Sequence, residues 1–398
     1  MDFTFSRRIA GMGSNAIRDI FKLLADPEVI SFAGGWPALD CLPLDEVKKF
    51  QNEVMNGKDA KTVLQYGATD GYKPMKDVAP IYLARKGLTA KPDDLLIISG
   101  GQQGIDLVFK AFINPGDVVL FENPTYLASL QIARSYEAVT IGVDADEYGL
   151  SVEDLECKIK KYSPKVLYLV PTFSNPTGKT LSIERRKQIA ELTARYGVVV
   201  IEDDPYSELR FEGEEVPAMK TFDKVGNICY VTSFSKTVAP GLRTGIAYCS
   251  PEMMKALVVG KQTTDVHTGL VNQAVIAKFI ESGELATQID RIRPKYKVKK
   301  DAMIEAVDKY FPEEFKHTNP EGGLFIWGDF PEYINTVECF PEVVALKAAY
   351  VPGTSFFADN SGKNTLRLNY SNASLEQIEY GIKKIGNYFK EKVAKAKR

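Results

Sequence analysis

Residues 94–113, DLLIISGGQQGIDLVFKAFI, join a short apolar run to a longer helical pattern through two glycines. The run at 95–98 has the length and composition of a buried strand. Apolar side chains in residues 102–113 recur at the spacing of an amphipathic helix. The stretch therefore predicts a strand, a tight turn and a helix, which together form the basic unit of an α/β fold.

The same unit recurs further along the chain. Apolar strand patterns occur at VVLFEN (118–123), AVTIGV (138–143), VLYLVPT (166–172), VVVIEDD (198–204), ICYVTSF (228–234) and RTGIAYCS (243–250), and helical patterns separate most of them. Continuous apolar strands alternating with helices indicate a mostly parallel sheet with both faces covered. We predict an α/β fold with a sheet of the seven-stranded type.

The pattern changes after several helical stretches in residues 251–310. Isolated strands are predicted at GGLFIWGDF (322–330) and TLRLNYS (365–371), and Ser374 and Gln377 form a capping box before a final helix. The first 48 residues lack strands enough to fold alone. We therefore predict a large domain at 49–285 and a smaller α+β domain built from both chain ends, 1–48 and 286–398.

Composition narrows the range of partners. Among 398 residues, 50 basic and 52 acidic side chains give a net charge of −2, which offers no field for nucleic acid or an anionic membrane. Five dispersed cysteines without a CxxC pair argue against a disulfide framework, and two histidines exclude a multi-histidine metal site. With no signal peptide or membrane-spanning run, we expect a cytoplasmic protein that acts on small molecules.

Polar side chains follow the ends of the predicted strands, where ligands bind in an open α/β sheet. They lie at 99–102, 123–126, 175–178, 203–206 and 233–236. Gly101 and Gln102 begin a helix whose N–H groups can hold phosphate. Further donors to the same phosphate would come from Ser233, Ser235 and Arg243. The alternative is that the two glycines form a tight turn that binds nothing.

The remaining strand-end residues suit a flat, cationic ring. Asp203 could pair with a ring nitrogen or simply cap a turn, and Tyr206 could donate to a ring oxygen. Asn175 is equally consistent with a turn, and Tyr126 with core packing or with stacking on a ring. Lys236 has an ordinary pKa of about 10.4, so its use as a neutral amine requires burial, a cationic neighbour or conversion to an imine.

The chain resembles a known family through several motifs in order. They are ISFAGGWP (30–37), LQYGATDGYKPMKD (64–77), ISGGQQG (98–104), PTFSNPTG (171–178), IEDDPY (201–206), VTSFSKTVAPGLRTG (231–245), RIRPKYKVKKDAM (291–303), YVPGTSFF (350–357) and NTLRLNYS (364–371). Together they resemble the fold type I aminotransferases of class I/II, in the branch of 2-aminoadipate, kynurenine and aromatic or multisubstrate enzymes.

The resemblance implies a role for each matching residue. The cofactor is pyridoxal 5'-phosphate, with Lys236 as its imine partner, Asp203 on the ring nitrogen, Asn175 and Tyr206 on the ring hydroxyl, and Tyr126 stacked on the ring. The phosphate is held by Gly101, Gln102, Ser233, Ser235 and Arg243, together with Tyr66 from the other subunit of a homodimer. Arg367 binds the substrate α-carboxylate, with the backbone of Gly35 nearby.

These roles imply transfer of an amino group from an L-amino acid to a 2-oxo acid, with 2-oxoglutarate as the expected acceptor and ping-pong kinetics. Lys236 moves the proton as base and then acid. Another reaction of the same cofactor, such as β-elimination, decarboxylation or racemisation, is the alternative. A DNA-binding regulatory role is not expected, because the motifs leave no room for a winged helix and the charge offers no basic face.

Substrate preference stays open at this stage. Arg18 matches a position that meets a distal carboxylate in some relatives, but it could equally be an exposed helical arginine. Trp36 and Leu42 depart from the family pattern near the expected substrate entrance. His267 is interpreted as packing at a helix end rather than as a catalytic group.

Overall fold

The computed structural model describes residues 3–10, 12, 26–146 and 148–397. The first half of the chain contains α1 (Arg7–Ala10), β1 (Ile30–Ser31), α2 (Leu44–Asn56), α3 (Lys73–Ala84), β2 (Leu95–Ile98), α4 (Gly101–Phe112), β3 (Val118–Asn123), α5 (Leu127–Ser135), β4 (Val139–Asp146), β5 (Gly149–Leu150), α6 (Val152–Tyr162), β6 (Val166–Leu169), α7 (Ile183–Tyr196) and β7 (Val199–Asp204).

The second half continues with β8 (Ile228–Ser233), β9 (Gly245–Tyr248), α8 (Pro251–Gln262), α9 (Leu270–Glu281), α10 (Glu284–Tyr310), β10 (Lys316–His317), β11 (Phe325–Asp329), α11 (Thr336–Ala345), β12 (Ala348–Ala349), β13 (Val351–Pro352), β14 (Thr365–Asn369) and α12 (Leu375–Ala396). Within the described ranges, none of the helices is both long and apolar enough to cross a membrane.

The large sheet has the strand order β2-β9-β8-β7-β6-β3-β4-β5. Strands β8, β7, β6, β3 and β4 are parallel, whereas β9 is antiparallel to both of its neighbours. The predicted α/β class and mostly parallel sheet are confirmed. Strand β5 adds an antiparallel edge of two residues, which is too short to leave a pattern in the sequence.

Both faces of this sheet are buried. In β2, Leu96 and Ile98 join one apolar core while Leu95 and Ile97 join another, because alternate side chains point to opposite faces. In β3, Phe121 and Leu120 divide in the same way. Two-sided burial explains why these strands read as continuous apolar runs rather than alternating ones.

A second sheet, of order β10-β11-β14-β13, is antiparallel, and β1 and β12 form a separate parallel pair. The N-terminal segment contacts this region: the Phe32 N–H donates to the Ala349 carbonyl, and the Asn369 N–H donates to the Phe32 carbonyl, each at 2.8 Å. The capping box at Ser374 and Gln377 is also present. The domain division stays a prediction, and its boundary at 285/286 falls within the first turn of α10.

Candidate active site

Lys236 lies in the turn that follows β8. Its Nζ donates a hydrogen bond to the Gly35 carbonyl at 2.7 Å, which brings the N-terminal segment against the end of the large sheet. Burial and the positive charges of Arg367 and Arg243 lower the pKa of Lys236 to about 8, although Asp203 opposes the shift. The amine is therefore deprotonated far more readily than that of an exposed lysine.

Asp203 lies near the end of β7 and is 5% exposed. Its Oδ2 accepts a hydrogen bond of 2.7 Å from the Tyr168 hydroxyl. Burial raises the pKa of Asp203 to about 7, the Tyr168 hydrogen bond and the charge of Lys236 lower it, and Asp204 adds to the rise. A buried carboxylate of this kind is stabilised by any cation that reaches it.

A phosphate-sized group could be held where β2 meets α4. Gly100 has a φ of +84°, and a Cβ there would lie 2.4 Å from the Arg243 Nη2, so the guanidinium occupies the space that a side chain would need. Arg243 donates to the Ser99 carbonyl at 3.0 Å. The hydroxyl oxygens of Ser233 and Ser235 are 2.7 Å apart. These donors face the N-terminus of α4, where backbone N–H groups favour an anion.

These groups surround one cavity of about 170 Å³. Its lining contains the predicted cofactor-binding residues other than Tyr66, namely Gly101, Gln102, Tyr126, Asn175, Asp203, Tyr206, Ser233, Ser235, Lys236 and Arg243. A Cβ at Gly101 would lie 3.6 Å from the Asp203 Oδ1 and 3.8 Å from the Ser233 Cβ. The absence of a side chain at Gly101 thus leaves room between the carboxylate and the hydroxyls.

Arg367, on β14, borders an adjoining cavity of about 240 Å³. Its Nη1 donates to the Asn175 Oδ1 at 2.8 Å and its Nη2 to the Ala33 carbonyl at 2.6 Å. The guanidinium lies 4.4 Å from the ring centroid of Phe325 and 4.9 Å from that of Phe356.

Among the residues that the structure describes, none supplies a counter-ion for the charge of Arg367. Within the part of the chain that the structure describes, no carboxylate pairs with Arg367, and its buried Nε has no hydrogen-bond partner. Burial lowers its pKa to about 10. A buried guanidinium with a free donor is a ready site for a carboxylate.

The two cavities share Tyr126, Asn175, Tyr206 and Lys236. The rest of the second cavity is lined by Arg367 and by apolar or backbone surface from Ala33, Gly35, Trp36, Leu127, Phe325 and Val351. A ligand in the second cavity therefore lies in a space lined by both Lys236 and Arg367.

Some predicted residues lie elsewhere. Tyr66 is 81% exposed, and its ring meets the ring of His267 edge-on at a centroid distance of 6.0 Å, outside both cavities. His267 also contacts the Thr268 carbonyl through Nδ1 at 2.9 Å, in keeping with packing at a helix end. Leu42 lines neither cavity, in contrast to Trp36. Arg18 lies outside the described residues.

Sequence reasoning missed several groups that act on the predicted ones. Tyr168 supports Asp203, and the rings of Phe325 and Phe356 flank Arg367. Tyr168 sits inside the apolar run VLYLV, and its hydroxyl there was a usable signal, because a buried phenol needs a hydrogen-bond partner.

The cavity suits a pyridoxal phosphate group. It joins an amine with a lowered pKa, a buried carboxylate, and a set of hydrogen-bond donors at a helix N-terminus, and the glycine at 101 leaves room between them. An α/β sheet with these groups at its strand ends defines a fold type I pyridoxal-phosphate enzyme. The chain belongs to the family of class I and II aminotransferases, whose family model matches residues 27–385. It is therefore a transaminase that uses pyridoxal phosphate.

Similar proteins cover nearly the whole chain. Aromatic-amino-acid aminotransferase 1 of Thermococcus litoralis is 38% identical over 397 residues, covering 98% of this chain and 95% of that protein. The solved structure of Pyrococcus horikoshii kynurenine aminotransferase, in complex with PMP, is 38% identical with a TM-score of 0.94 and covers 98% and 97%. The α-aminoadipate aminotransferase LysN of Thermus thermophilus, complexed with N-(5'-phosphopyridoxyl)-L-leucine, is 33% identical with a TM-score of 0.90 and covers 98% of both chains.

Proposed function

We propose that this transaminase moves the amino group of an L-amino acid with an apolar side chain, aromatic or branched, to 2-oxoglutarate by ping-pong kinetics. The observation that carries the proposal is the buried guanidinium of Arg367, which lines the second cavity together with Lys236 and has no carboxylate partner among the described residues. An amino acid supplies the missing carboxylate and places its α-carbon between the two groups.

Arg367 binds the α-carboxylate of each substrate in turn. Its Nη atoms already point at the Asn175 and Ala33 oxygens, so its orientation is fixed before the substrate arrives. Donor and acceptor both carry an α-carboxylate, and Arg367 is the sole guanidinium among the described residues that line the second cavity. The two substrates therefore cannot bind there together, which is the physical basis for ping-pong kinetics.

Lys236 carries the proton between steps. Pyridoxal phosphate, when bound, supplies the electron sink that takes up the electron pair left when the substrate loses its α-proton. Lys236 accepts that proton at Nζ and returns it, because a pKa near 8 lets the amine exist in both forms close to neutral pH. The Gly35 carbonyl holds the Nζ at the junction of the two cavities when it is protonated.

The other residues hold the cofactor. Asp203 would meet the ring nitrogen, oriented by Tyr168, and a cation there would lower the pKa that burial has raised. Asn175 and Tyr206 would meet the ring hydroxyl, and Tyr126 would pack on the ring. The phosphate would rest on α4, held by a set comprising Gly101, Gln102, Ser233, Ser235 and Arg243.

We further propose a homodimer in which Tyr66 reaches the phosphate bound by the partner. Tyr66 is largely exposed and lies outside the cofactor cavity of its own chain, and Leu39 and Leu64 are also exposed large apolar side chains. Light scattering during gel filtration measures the mass. A monomer at micromolar concentration contradicts the dimer, and unaltered cofactor affinity in Tyr66→Ala contradicts the phosphate contact.

All five cysteines are unpaired, as suits the reducing cytoplasm in which we place the protein.

The donor preference follows from the lining of the second cavity. Trp36, Leu127, Phe325 and Val351 offer apolar surface and no charge to a substrate side chain. The relatives are named for aromatic amino acids, kynurenine and α-aminoadipate, so family membership alone does not identify the donor. Arg18 remains the candidate partner for the distal carboxylate of 2-oxoglutarate or 2-aminoadipate.

The decisive experiment assays a panel of amino donors against 2-oxoglutarate and identifies both products. We expect phenylalanine, tyrosine and leucine to be turned over, with release of their 2-oxo acids and parallel lines in double-reciprocal plots. Carbon dioxide release, racemisation or loss of a β-substituent in place of 2-oxo acid formation would contradict the proposed reaction. Intersecting lines in the double-reciprocal plots would contradict the ping-pong order of the two substrates.

The same panel tests the role of Arg18. In Arg18→Ala we expect KM to rise for 2-oxoglutarate and 2-aminoadipate while KM for phenylalanine stays unchanged. An equal effect on all substrates would show that Arg18 does not recognise the distal carboxylate.

A further inference from the structure

A fully buried lysine lies beside the cofactor cavity without lining it. Lys261, near the end of α8, is 0% exposed. Its ammonium donates to the Asp265 Oδ1 at 2.9 Å, the Gln103 Oε1 at 2.7 Å and the Thr268 Oγ1 at 3.0 Å. A buried charge is costly unless it is paired and its donors are used, and all three donors of Lys261 have partners.

The partners of Lys261 converge on Ser99, the residue before the Gly-Gly turn. The Ser99 N–H donates to the Gln103 Oε1 at 2.8 Å, and the Ser99 hydroxyl donates to the Asp265 Oδ2 at 2.9 Å. The Ser99 carbonyl accepts from Arg243 at 3.0 Å. Each polar group of Ser99 is therefore fixed, and the side-chain part of this arrangement depends on Lys261 and Asp265.

The network also fixes the start of α4. The Gln103 Nε2 donates to the same Asp265 Oδ2 at 2.7 Å, and Gln103 lies in the first turn of α4, directly after Gly101 and Gln102. Thr268 ties the network to β2 through the Ile97 carbonyl at 3.3 Å. The end of β2 and the first turn of α4 are thus held in one geometry.

We propose that Lys261, acting with Asp265 and Gln103, is a positioning residue that holds the turn at 99–103 in the conformation that accepts the cofactor phosphate. The inference rests on the proposed phosphate site at the N-terminus of α4. Neither Lys261 nor Asp265 lines the cofactor cavity, and their charges neutralise each other. Their effect on the phosphate is therefore one of geometry rather than of direct attraction.

The test compares pyridoxal phosphate with pyridoxal, which lacks the phosphate. Cofactor-free wild-type and Lys261→Met proteins are titrated with each compound, and binding is followed by the absorbance of the bound form. We expect Lys261→Met to bind pyridoxal phosphate about tenfold more weakly or worse, and pyridoxal within about twofold of the wild type. Inorganic phosphate should also compete less well for the variant.

The matched control is Lys300→Met. Lys300 is another buried lysine, paired with Glu212 and Asp301 away from both cavities. Its loss should lower the melting temperature and leave the preference for pyridoxal phosphate over pyridoxal unchanged. The double variant Lys261→Met/Asp265→Asn removes both charges, and it takes the place of the single variant if that variant does not fold.

Three results would overturn the inference. The first is an unchanged preference for the phosphorylated compound in both Lys261 variants. The second is an equal weakening of pyridoxal and pyridoxal phosphate, which indicates a general loss of structure. The third is a wild-type protein that binds both compounds equally, which removes the phosphate site as well. Transaminase activity is measured separately on the wild-type protein. That assay tests the proposed reaction, whereas the comparison of the two cofactor compounds tests the role of Lys261.

Discussion

Replacing Arg367 by lysine tests the proposed substrate anchor, because the change keeps the positive charge and removes the planar fork. In the structure the guanidinium donates hydrogen bonds from its two Nη atoms to the Asn175 Oδ1 and the Ala33 carbonyl, and its Nε has no hydrogen-bond partner among the described residues. A lysine nitrogen cannot satisfy these oxygens and also grip a carboxylate with two parallel hydrogen bonds. The variant should therefore lose at least one charge-assisted hydrogen bond to the substrate.

One such bond contributes about 1.5–3 kcal/mol, which corresponds to a loss of about 10- to 150-fold in kcat/KM. The carboxylate contact exists both before and during the reaction, so most of the loss should appear as a higher KM rather than a lower kcat. Steady-state kinetics with phenylalanine and 2-oxoglutarate separate the two parameters.

Arg210→Lys is the matched control for this change. Arg210 is also buried, has an unpartnered Nη2 and lies 4.7 Å from the ring centroid of Phe173, but it pairs with Glu321 and lines neither cavity. We expect it to change stability and not KM. A loss in Arg367→Lys of less than about threefold, or one confined to kcat, would refute the anchor.

Three further predictions concern charged groups, two of them in the site and one outside both cavities. The rate at which Lys236 captures pyridoxal phosphate covalently should rise about tenfold per pH unit below pH 8 and level off above it, because only the neutral amine reacts and its pKa is about 8. A rate that continues to rise up to pH 10 would contradict this. Asp203→Asn should bind the cofactor yet lose roughly 10²-fold or more in kcat, measured at saturating substrate. Burial alone would raise the pKa of Glu208, but Lys86 and Arg85 outweigh it and hold that pKa at about 2. Because the pKa of Glu208 is lower in the folded state than in the unfolded state, its stabilisation of the fold is complete above about pH 4.5 and disappears towards pH 2. Glu208→Gln should therefore lower the free energy of unfolding by on the order of 3 kcal/mol at pH 7 and by much less at pH 3. Urea unfolding at the two pH values measures the difference.

The large sheet was predictable because its strands are buried on both faces. The strands β3, β6, β7 and β8 each begin with a continuous apolar run, and helical patterns between them leave few other arrangements. Strands β5, β10, β12 and β13 contain two residues each, so pairing with neighbours defines them and no local pattern does. The rule that ligands bind at strand ends predicts that Lys236 and Asp203 share a site, and both residues line the same cavity.

Other parts of the site depend on contacts that a local pattern cannot reveal. The grouping of Arg367 with Asn175 joins residues 192 positions apart, and resemblance to a family rather than spacing pointed to it. Lys261 lies in a helix sequence, PEMMKALVVGKQ, where a lysine reads as a solvated charge, because lysines are seldom buried without a partner. Its partner Asp265 follows the helix, and Gln103 is more than 150 residues away.

In the proposed reaction, the charges around Lys236 would couple substrate binding to proton transfer. Arg367 and Arg243 lower the pKa of the amine, while Asp203 raises it. A carboxylate on Arg367 and a phosphate beside Arg243 each neutralise part of that positive field, so the amine becomes a stronger base as the site fills. In the proposed reaction the guanidinium of Arg367 would therefore have two roles. It would bind the substrate carboxylate, and its neutralisation by that carboxylate would weaken its lowering effect on the pKa of Lys236.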